Sequence, residues 1–127
     1  MARIKFLNVD LDVSSKHSIR ELTSHLINHG LYNLSEPQDG TACYELDEPT
    51  SSANGALSLM LDVLEKLPPD ALRAWKTSTR REFNLGFDCG TEPWAFNEPI
   101  EPEIVRRISA LGGCFRITLY PPPGSAD

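Results

Sequence analysis

The chain has 127 residues, 40% of them hydrophobic, and its 18 Asp and Glu outnumber its 12 Lys and Arg to give a formal net charge of −6. That length suits a single domain over residues 1–127, and the hydrophobic share suffices for a core, so disorder of the whole chain is excluded. The negative balance argues against nucleic acid as a partner, because phosphates require a basic face, and no apolar run approaches the ~20 residues of a membrane helix.

The first 30 residues predict a strand followed by a helix. Residues 7–13 alternate between apolar and polar side chains, which is typical of a strand with one face buried. Ile4 has the opposite parity, so we expect a bulge where the pattern changes, near residues 6 and 7. Ser18 and Glu21 have the spacing of a capping box and mark the start of a helix that Gly30 ends.

The middle of the chain predicts a short strand and two helices. The strand covers residues 43–46, and the strongest helical periodicity of the chain follows over residues 52–67. Two prolines end that helix. Asp70 is placed to cap a short further helix that carries Trp75 to the core.

The last third predicts strands on either side of a helix. Residues 81–89 alternate again, and residues 94–96 suggest one more short strand. A helix begins at Pro102 and ends before two glycines, and the final strand covers residues 114–120. Residues 121–127 are expected to be a frayed tail.

The fold class follows from the way charge alternates along these strands. Strands buried on both faces of a parallel sheet are continuously apolar, whereas these have a polar face that must meet water. We therefore predict an α+β fold, a two-layer sandwich with a mixed or mostly antiparallel sheet and helices on one face.

Three cysteines are present: Cys43, Cys89 and Cys114. Their odd number and wide spacing favour free thiols over a disulfide framework. The start of the chain lacks the pattern of a secretory signal, so we expect a cytoplasmic location. No cofactor is expected, because the chain has no phosphate-binding glycine loop.

Charge is distributed unevenly along the chain. Residues 21–65 contain eight acids and residues 82–103 contain six, together 14 of the 18, and neither stretch contains Lys or Arg. These acids are either matched across the fold or presented to a cationic partner, whose association they would accelerate. An acidic surface that serves only solubility is the alternative. The partner-binding residues that we expect are Asp10, Asp12, Glu45, Asp47, Glu48, Glu92, Trp94 and Glu98.

Two other functions remain open. His25 and His29 lie four residues apart on the first helix, a spacing that suits zinc, and Asp10 and Asp12 share one strand face and offer oxygen ligands. The His-Glu-x-x-His pattern is missing, so we predict no metal site, and a small metal-dependent enzyme is the alternative. An accessory module that forms homodimers through its sheet is the third hypothesis.

The second half of the chain is similar to small bacterial immunity proteins of contact-dependent and other polymorphic toxin systems. The matching stretches are residues 81–88, Trp94, Phe96, and residues 102–108, 111–113 and 115–121. The resemblance implies a protein that binds a cognate toxin and blocks its active site without catalysis of its own. That group shares no motif for toxin contacts, so it assigns no site residue. With the acidic charge, it predicts a cationic toxin such as a nuclease, bound by a monomer or homodimer.

Overall fold

The structure is a computed structural model that describes residues 3–34 and 40–121. Of the predicted tail, only Pro121 is among them. The described residues form an α+β fold, as the sequence predicts. Its elements in chain order are β1 (Lys5–Ser15), α1 (Arg20–Ile27), β2 (Leu31–Asn33), β3 (Thr41–Leu46), α2 (Ala53–Leu64), α3 (Pro69–Lys76), β4 (Ser78–Asp88), α4 (Pro102–Ala110) and β5 (Cys114–Tyr120).

The strands form one sheet in the order β2-β3-β1-β4-β5. Every neighbouring pair is antiparallel except β4 and β5, which are parallel and are joined through α4. The prediction of a mixed, mostly antiparallel sheet is therefore confirmed. The predicted bulge is also present, because the register of β1 against β4 shifts between Phe6 and Asn8.

One face of the sheet is covered by all four helices. On β1, Val9, Leu11 and Val13 are buried in the core, and the polar residues between them face the opposite side. The core residues of the helices are Leu22, Leu26, Leu57, Met60, Leu61, Leu64, Ala74, Trp75, Ile104 and Ile108, together with Ala53 and Ala56. The helices thus lie on one face, as predicted. In the described parts of the chain, no helix is long and apolar enough to cross a membrane.

Three local predictions are wrong. The capping box does not form, because Ile19 is the N-cap of α1 and the Ser18 hydroxyl accepts from the Arg20 amide at 3.2 Å. Asp70 does not cap α3, which begins one residue earlier; its carboxylate pairs with Arg73 at 3.2 Å. Residues 94–96 form no strand.

Trp75 lies in the core, as the sequence predicts. Its ring is almost fully buried, and its Nε1 donates to the Leu111 carbonyl at 3.0 Å. This bond matters because an indole N–H buried without a partner is costly. It ties α3 to the segment that leads from α4 into β5.

The face that α2 buries yields a test of the core. Leu57 is fully buried and Leu59, two residues further along the same helix, is 47% exposed. We expect Leu57→Ala to lower the free energy of unfolding by about 2–5 kcal/mol, through lost burial and a residual cavity. Leu59→Ala should change it by less than about 0.5 kcal/mol. Urea unfolding of both variants measures this, and equal losses would contradict the assigned helix face.

Candidate partner-binding site

The strand directions bring acids that are distant in sequence to one end of the sheet. Strands β3 and β4 both run antiparallel to β1 and therefore toward its start, which β4 reaches with Asp88 opposite Lys5. Asp47 and Glu48 follow β3 at this end, and Asp88 closes β4 there. The loop of residues 89–101 starts from the same end. The backbone of its Glu92 forms an isolated parallel β-bridge with Arg3, which lies ahead of β1. We call this region, with Asp47, Glu48, Asp88 and Glu92, the acidic end.

The opposite end of the sheet carries basic residues. Lys16 follows β1 there, and Lys76 lies at the last position of α3, just before β4 begins. Arg80 and Arg81 lie near the start of β4. The two ends of the strands thus differ in charge, although Lys5 lies at the acidic end, 4.0 Å from the Asp88 carboxylate, and Arg80 at the basic end is bound to Glu82.

Trp94 lies in the 89–101 loop and is 98% exposed. Its side chain, which the sequence analysis expects to contact a partner, lies in solvent. Phe96, two residues later, points inward, and its ring contacts Phe87 edge to face at 5.9 Å between centroids. Exposure of a whole indole is unusual, because tryptophan is highly buried on average.

The loop that carries Trp94 is attached to the start of α2. The Asn54 side chain donates to the Pro99 carbonyl at 2.9 Å and accepts from the Glu101 amide at 3.0 Å. Glu98 accepts from the Ala53 amide at 3.2 Å, where it satisfies a free N–H of the first turn of α2. Glu98 therefore serves to hold the loop as well as to add charge.

A second group of predicted residues meets on the water-facing side of the sheet. Glu45 of β3 accepts from the side-chain amide of Asn8 at 2.6 Å and from the Tyr32 hydroxyl at 2.8 Å, and Asp10 of β1 lies beside it. The negative charge of Asp47 is also among the causes that raise the pKa of Tyr32, after the hydrogen bond to Glu45. We call Asp10, Tyr32, Glu45 and Asp47 the tyrosine–acid cluster. Tyr32 could not be predicted from the sequence, because β2 has only three residues and shows no alternation.

Burial and neighbouring acids raise the pKa of Asp10 to about 7. Loss of solvent is the largest cause, followed by the hydrogen bond with Glu45, the charge of Glu45 and the charge of Asp12. Two carboxyl groups in contact favour one shared proton over two negative charges. Nearby, burial and a hydrogen bond to Asp12 raise the pKa of the Cys43 thiol, so this cysteine stays protonated at neutral pH.

Several acids from the two stretches without Lys or Arg are paired with arginines outside those stretches. Glu82 binds Arg80 and Arg116, each at 2.7 Å, and these hydrogen bonds, first that from Arg116, lower its pKa to about 2. Arg107 on α4 binds Asp62 at 2.8 Å and Glu65 at 2.7 Å on α2. Part of the acidic surplus is therefore neutralised internally.

The predicted partner-binding residues differ in how far they are paired. In residues 3–34 and 40–121, no Lys or Arg nitrogen lies within 4.0 Å of the carboxylates of Asp10, Glu45, Asp47 or Glu48. Asp12 lies 3.9 Å from Arg80, at the basic end. The eight residues thus divide between the tyrosine–acid cluster, the acidic end with its Trp94 loop, and Asp12.

The residues named for a metal-dependent enzyme do not meet. His25 lies on α1 and His29 in the turn after it, with their rings stacked 3.9 Å apart, whereas Asp10 and Asp12 lie on the far face of the sheet. His29 Nδ1 is hydrogen-bonded to the His25 carbonyl at 2.7 Å. Among the residues that the structure describes, no three His, Cys, Asp or Glu are grouped so as to hold a metal ion.

The raised pKa of Asp10 predicts a pH-dependent stability. Between the unfolded value of 3.8 and about 7, the native state holds more protons than the unfolded chain, so the free energy of unfolding falls as pH rises. The substitution Asp10→Asn removes this pH-dependent fall in the free energy of unfolding. We expect the variant to exceed wild type by on the order of 1–2 kcal/mol near pH 8, after a discount for solvent screening, and to show no gain below about pH 4.

Urea unfolding at the two pH values measures this difference, and NMR titration of the Asp10 carboxyl locates its midpoint directly. Glu45→Gln serves as the companion variant: with one neighbouring charge removed, the Asp10 midpoint should move to lower pH. A gain from Asp10→Asn that is equal at both pH values would contradict the assignment.

Comparison of the chain with protein-family models, with curated proteins and with solved structures finds no match. The similarity of the second half to immunity proteins therefore stays a resemblance of strand faces and of a helix terminus.

Proposed function

We propose that this chain is an immunity-type binding protein of the cytoplasm that neutralises a cationic protein toxin, such as a nuclease, by covering its active site. The single observation that carries the proposal is Trp94, which is 98% exposed on a loop at the acidic end. A tryptophan on a loop that also carries Glu92 and Glu98 is the side-chain combination expected for binding a basic protein surface.

The energetic case depends on how the Trp94 loop is held. Phe96 is packed against Phe87, and Asn54 and Glu98 fix the loop to α2 through three hydrogen bonds. A loop that is already ordered loses little conformational entropy when a partner binds, so more of the contact energy appears as affinity. Hot-spot tryptophans typically contribute at least ~2 kcal/mol.

The carboxylates of the acidic end have a kinetic role in this proposal. Asp47 and Glu48 are exposed and carry no ion pair with a described Lys or Arg, so their field is available to an approaching cation. In a nuclease these carboxylates would meet the Lys and Arg side chains that otherwise bind substrate phosphates. Such charges raise the association rate and make it depend on salt.

The first test removes the anchor. The chain is immobilised and used to capture a basic protein from its own cells, and affinity is then measured with the purified partner. We expect Trp94→Ala to weaken binding by about 30-fold or more, mainly through faster dissociation, while Leu59→Ala on the exposed side of α2 leaves it unchanged. Equal affinity of wild type and Trp94→Ala would overturn the proposal, as would failure to retain any basic protein.

The second test removes charge without changing the loop. Asp47→Asn with Glu48→Gln should slow association about 10-fold at low salt and reduce its salt dependence, with little effect on dissociation. Glu21→Gln with Asp70→Asn makes the same change in net charge at exposed positions on α1 and α3, and should leave association nearly unaffected. Stopped-flow kinetics at several salt concentrations distinguishes these outcomes. Equal effects of the two double variants would show that net charge, and not its placement, matters.

A further inference from the structure

The two edges of the sheet differ in how they are protected. One edge is β2, which has three residues, and the other is β5, which has seven. Long edge strands are normally shielded by charges, prolines or a covering segment, because their free backbone groups bind other strands. Strand β5 carries a single charged residue, Arg116, and contains no proline.

The free backbone groups of β5 belong to its apolar residues. The Cys89 amide donates to the Tyr120 carbonyl at 2.8 Å, so the backbone groups of Tyr120 point toward β4. Successive residues of a strand bond to opposite sides, and Thr118, Arg116 and Cys114 therefore point toward β4 as well. The N–H and C=O groups of Phe115, Ile117 and Leu119 are left facing outward.

The side chains of the same three residues are also uncovered. They lie in register with Phe83, Leu85 and Phe87, which are buried beneath the helices, so they share the helix-facing side of the sheet. They are nevertheless 39%, 64% and 62% exposed for Phe115, Ile117 and Leu119. The helical layer thus stops short of β5.

An apolar groove adjoins these exposed side chains of β5. Its volume is about 390 Å³, and its lining includes Ile4, Phe87, Phe96, Ile117 and Leu119. The outward residues of β5 and this groove together expose on the order of 400 Å² of apolar surface, if about 200 Å² is taken for each large side chain. A patch of that size is within the range of the largest on typical monomers, which are often functional.

We propose that a second copy of this chain covers β5, with the two β5 strands antiparallel about a two-fold axis at Ile117. The pattern of β5 is self-complementary about that residue. Ile117 would lie opposite Ile117 of the partner subunit, and Leu119 opposite Phe115 of the partner subunit, at the mouth of the groove. Three such directly opposed pairs exchange about six backbone hydrogen bonds and join the two sheets into one.

Charge also favours a second copy at this edge. Arg116 is already bound to Glu82 at 2.7 Å and would face Thr118 of the partner subunit, so no like charges oppose each other. Antiparallel pairing further places the acidic end of each copy beside the basic end of the other. A strand from the cationic toxin of the proposed function fits less well, because β5 has no acid to receive it. The dimer and the toxin site are independent proposals.

The area buried in this arrangement predicts a reversible dimer. It lies below the ~800 Å² per partner of a standard interface. Sedimentation velocity of the full chain across a range of concentrations should therefore show monomer and dimer in exchange. Ile117→Lys should shift the dissociation constant upward by at least about 100-fold, because it places two ammonium groups opposite each other at the axis.

Leu59→Lys provides the matched control, since it adds the same charge at a similarly exposed apolar position on α2. This variant should dimerise like wild type, and circular dichroism should show both variants folded. A chain that stays monomeric at all concentrations overturns the proposal and leaves the edge to residues 122–127 or a foreign strand. Equal dimerisation of Ile117→Lys and wild type overturns it as well.

The register has its own test. In a chain with Cys114→Ser, Ile117→Cys should form a disulfide-linked dimer. The Cα atoms of directly opposed, hydrogen-bonded residues in an antiparallel pair lie ~5.5 Å apart, which is within the Cα–Cα range of a disulfide. Phe115→Cys should not, since its own counterpart lies four residues away along the strand. Crosslinking at Phe115→Cys and not at Ile117→Cys would refute the two-fold axis at Ile117.

Discussion

The alternation of side chains along β1 is the constraint on which the molecule depends. Strand β1 is the middle strand of the sheet and pairs with both β3 and β4. The side chains of β1 that face the helices and those that face water therefore determine which side chains of its neighbours do the same. Val9, Leu11 and Val13 anchor the helices on one side. Asp10 on the other side is held close to Glu45 by the same pairing, which is why its carboxyl is both half-buried and near a second acid. A slip of one residue would place acids in the core.

The parts of the fold that could be predicted are those with a repeated local signal. Strand β4 and helix α2 have enough residues to show their period, and the wet face of the sheet follows from the charges along β1 and β4. Strand β2 could not be found in this way, since its three residues contain no period. The N-terminus of α1 was misplaced because a capping-box pattern needs a matching backbone conformation, and Ile19 occupies the cap position instead.

The candidate site shows the same division between local and distant information. The sequence shows which acids lack basic neighbours, but it contains no signal that Arg107 reaches across to Asp62 and Glu65, or that Arg116 reaches Glu82. Those contacts depend on how α4 packs against α2 and β5 beside β4. The exposure of Trp94 is likewise set by distant contacts, because Asn54 holds the loop and Phe96, not Trp94, packs against Phe87. The acids that remain uncompensated are therefore a smaller and more localised set than the sequence indicated.

The two proposed surfaces are compatible within one assembly. Antiparallel pairing of β5 directs the acidic ends of the two copies in opposite directions along the joined sheet, so the two Trp94 loops would lie at opposite ends of a dimer. Each Trp94 side chain would keep its access to solvent, because it is 98% exposed and does not line the groove beside β5, although Phe96 of the same loop does. Two toxins could then bind one dimer without contact between them. Dimerisation would thereby remove the exposed apolar edge from water while leaving Trp94 of each copy exposed.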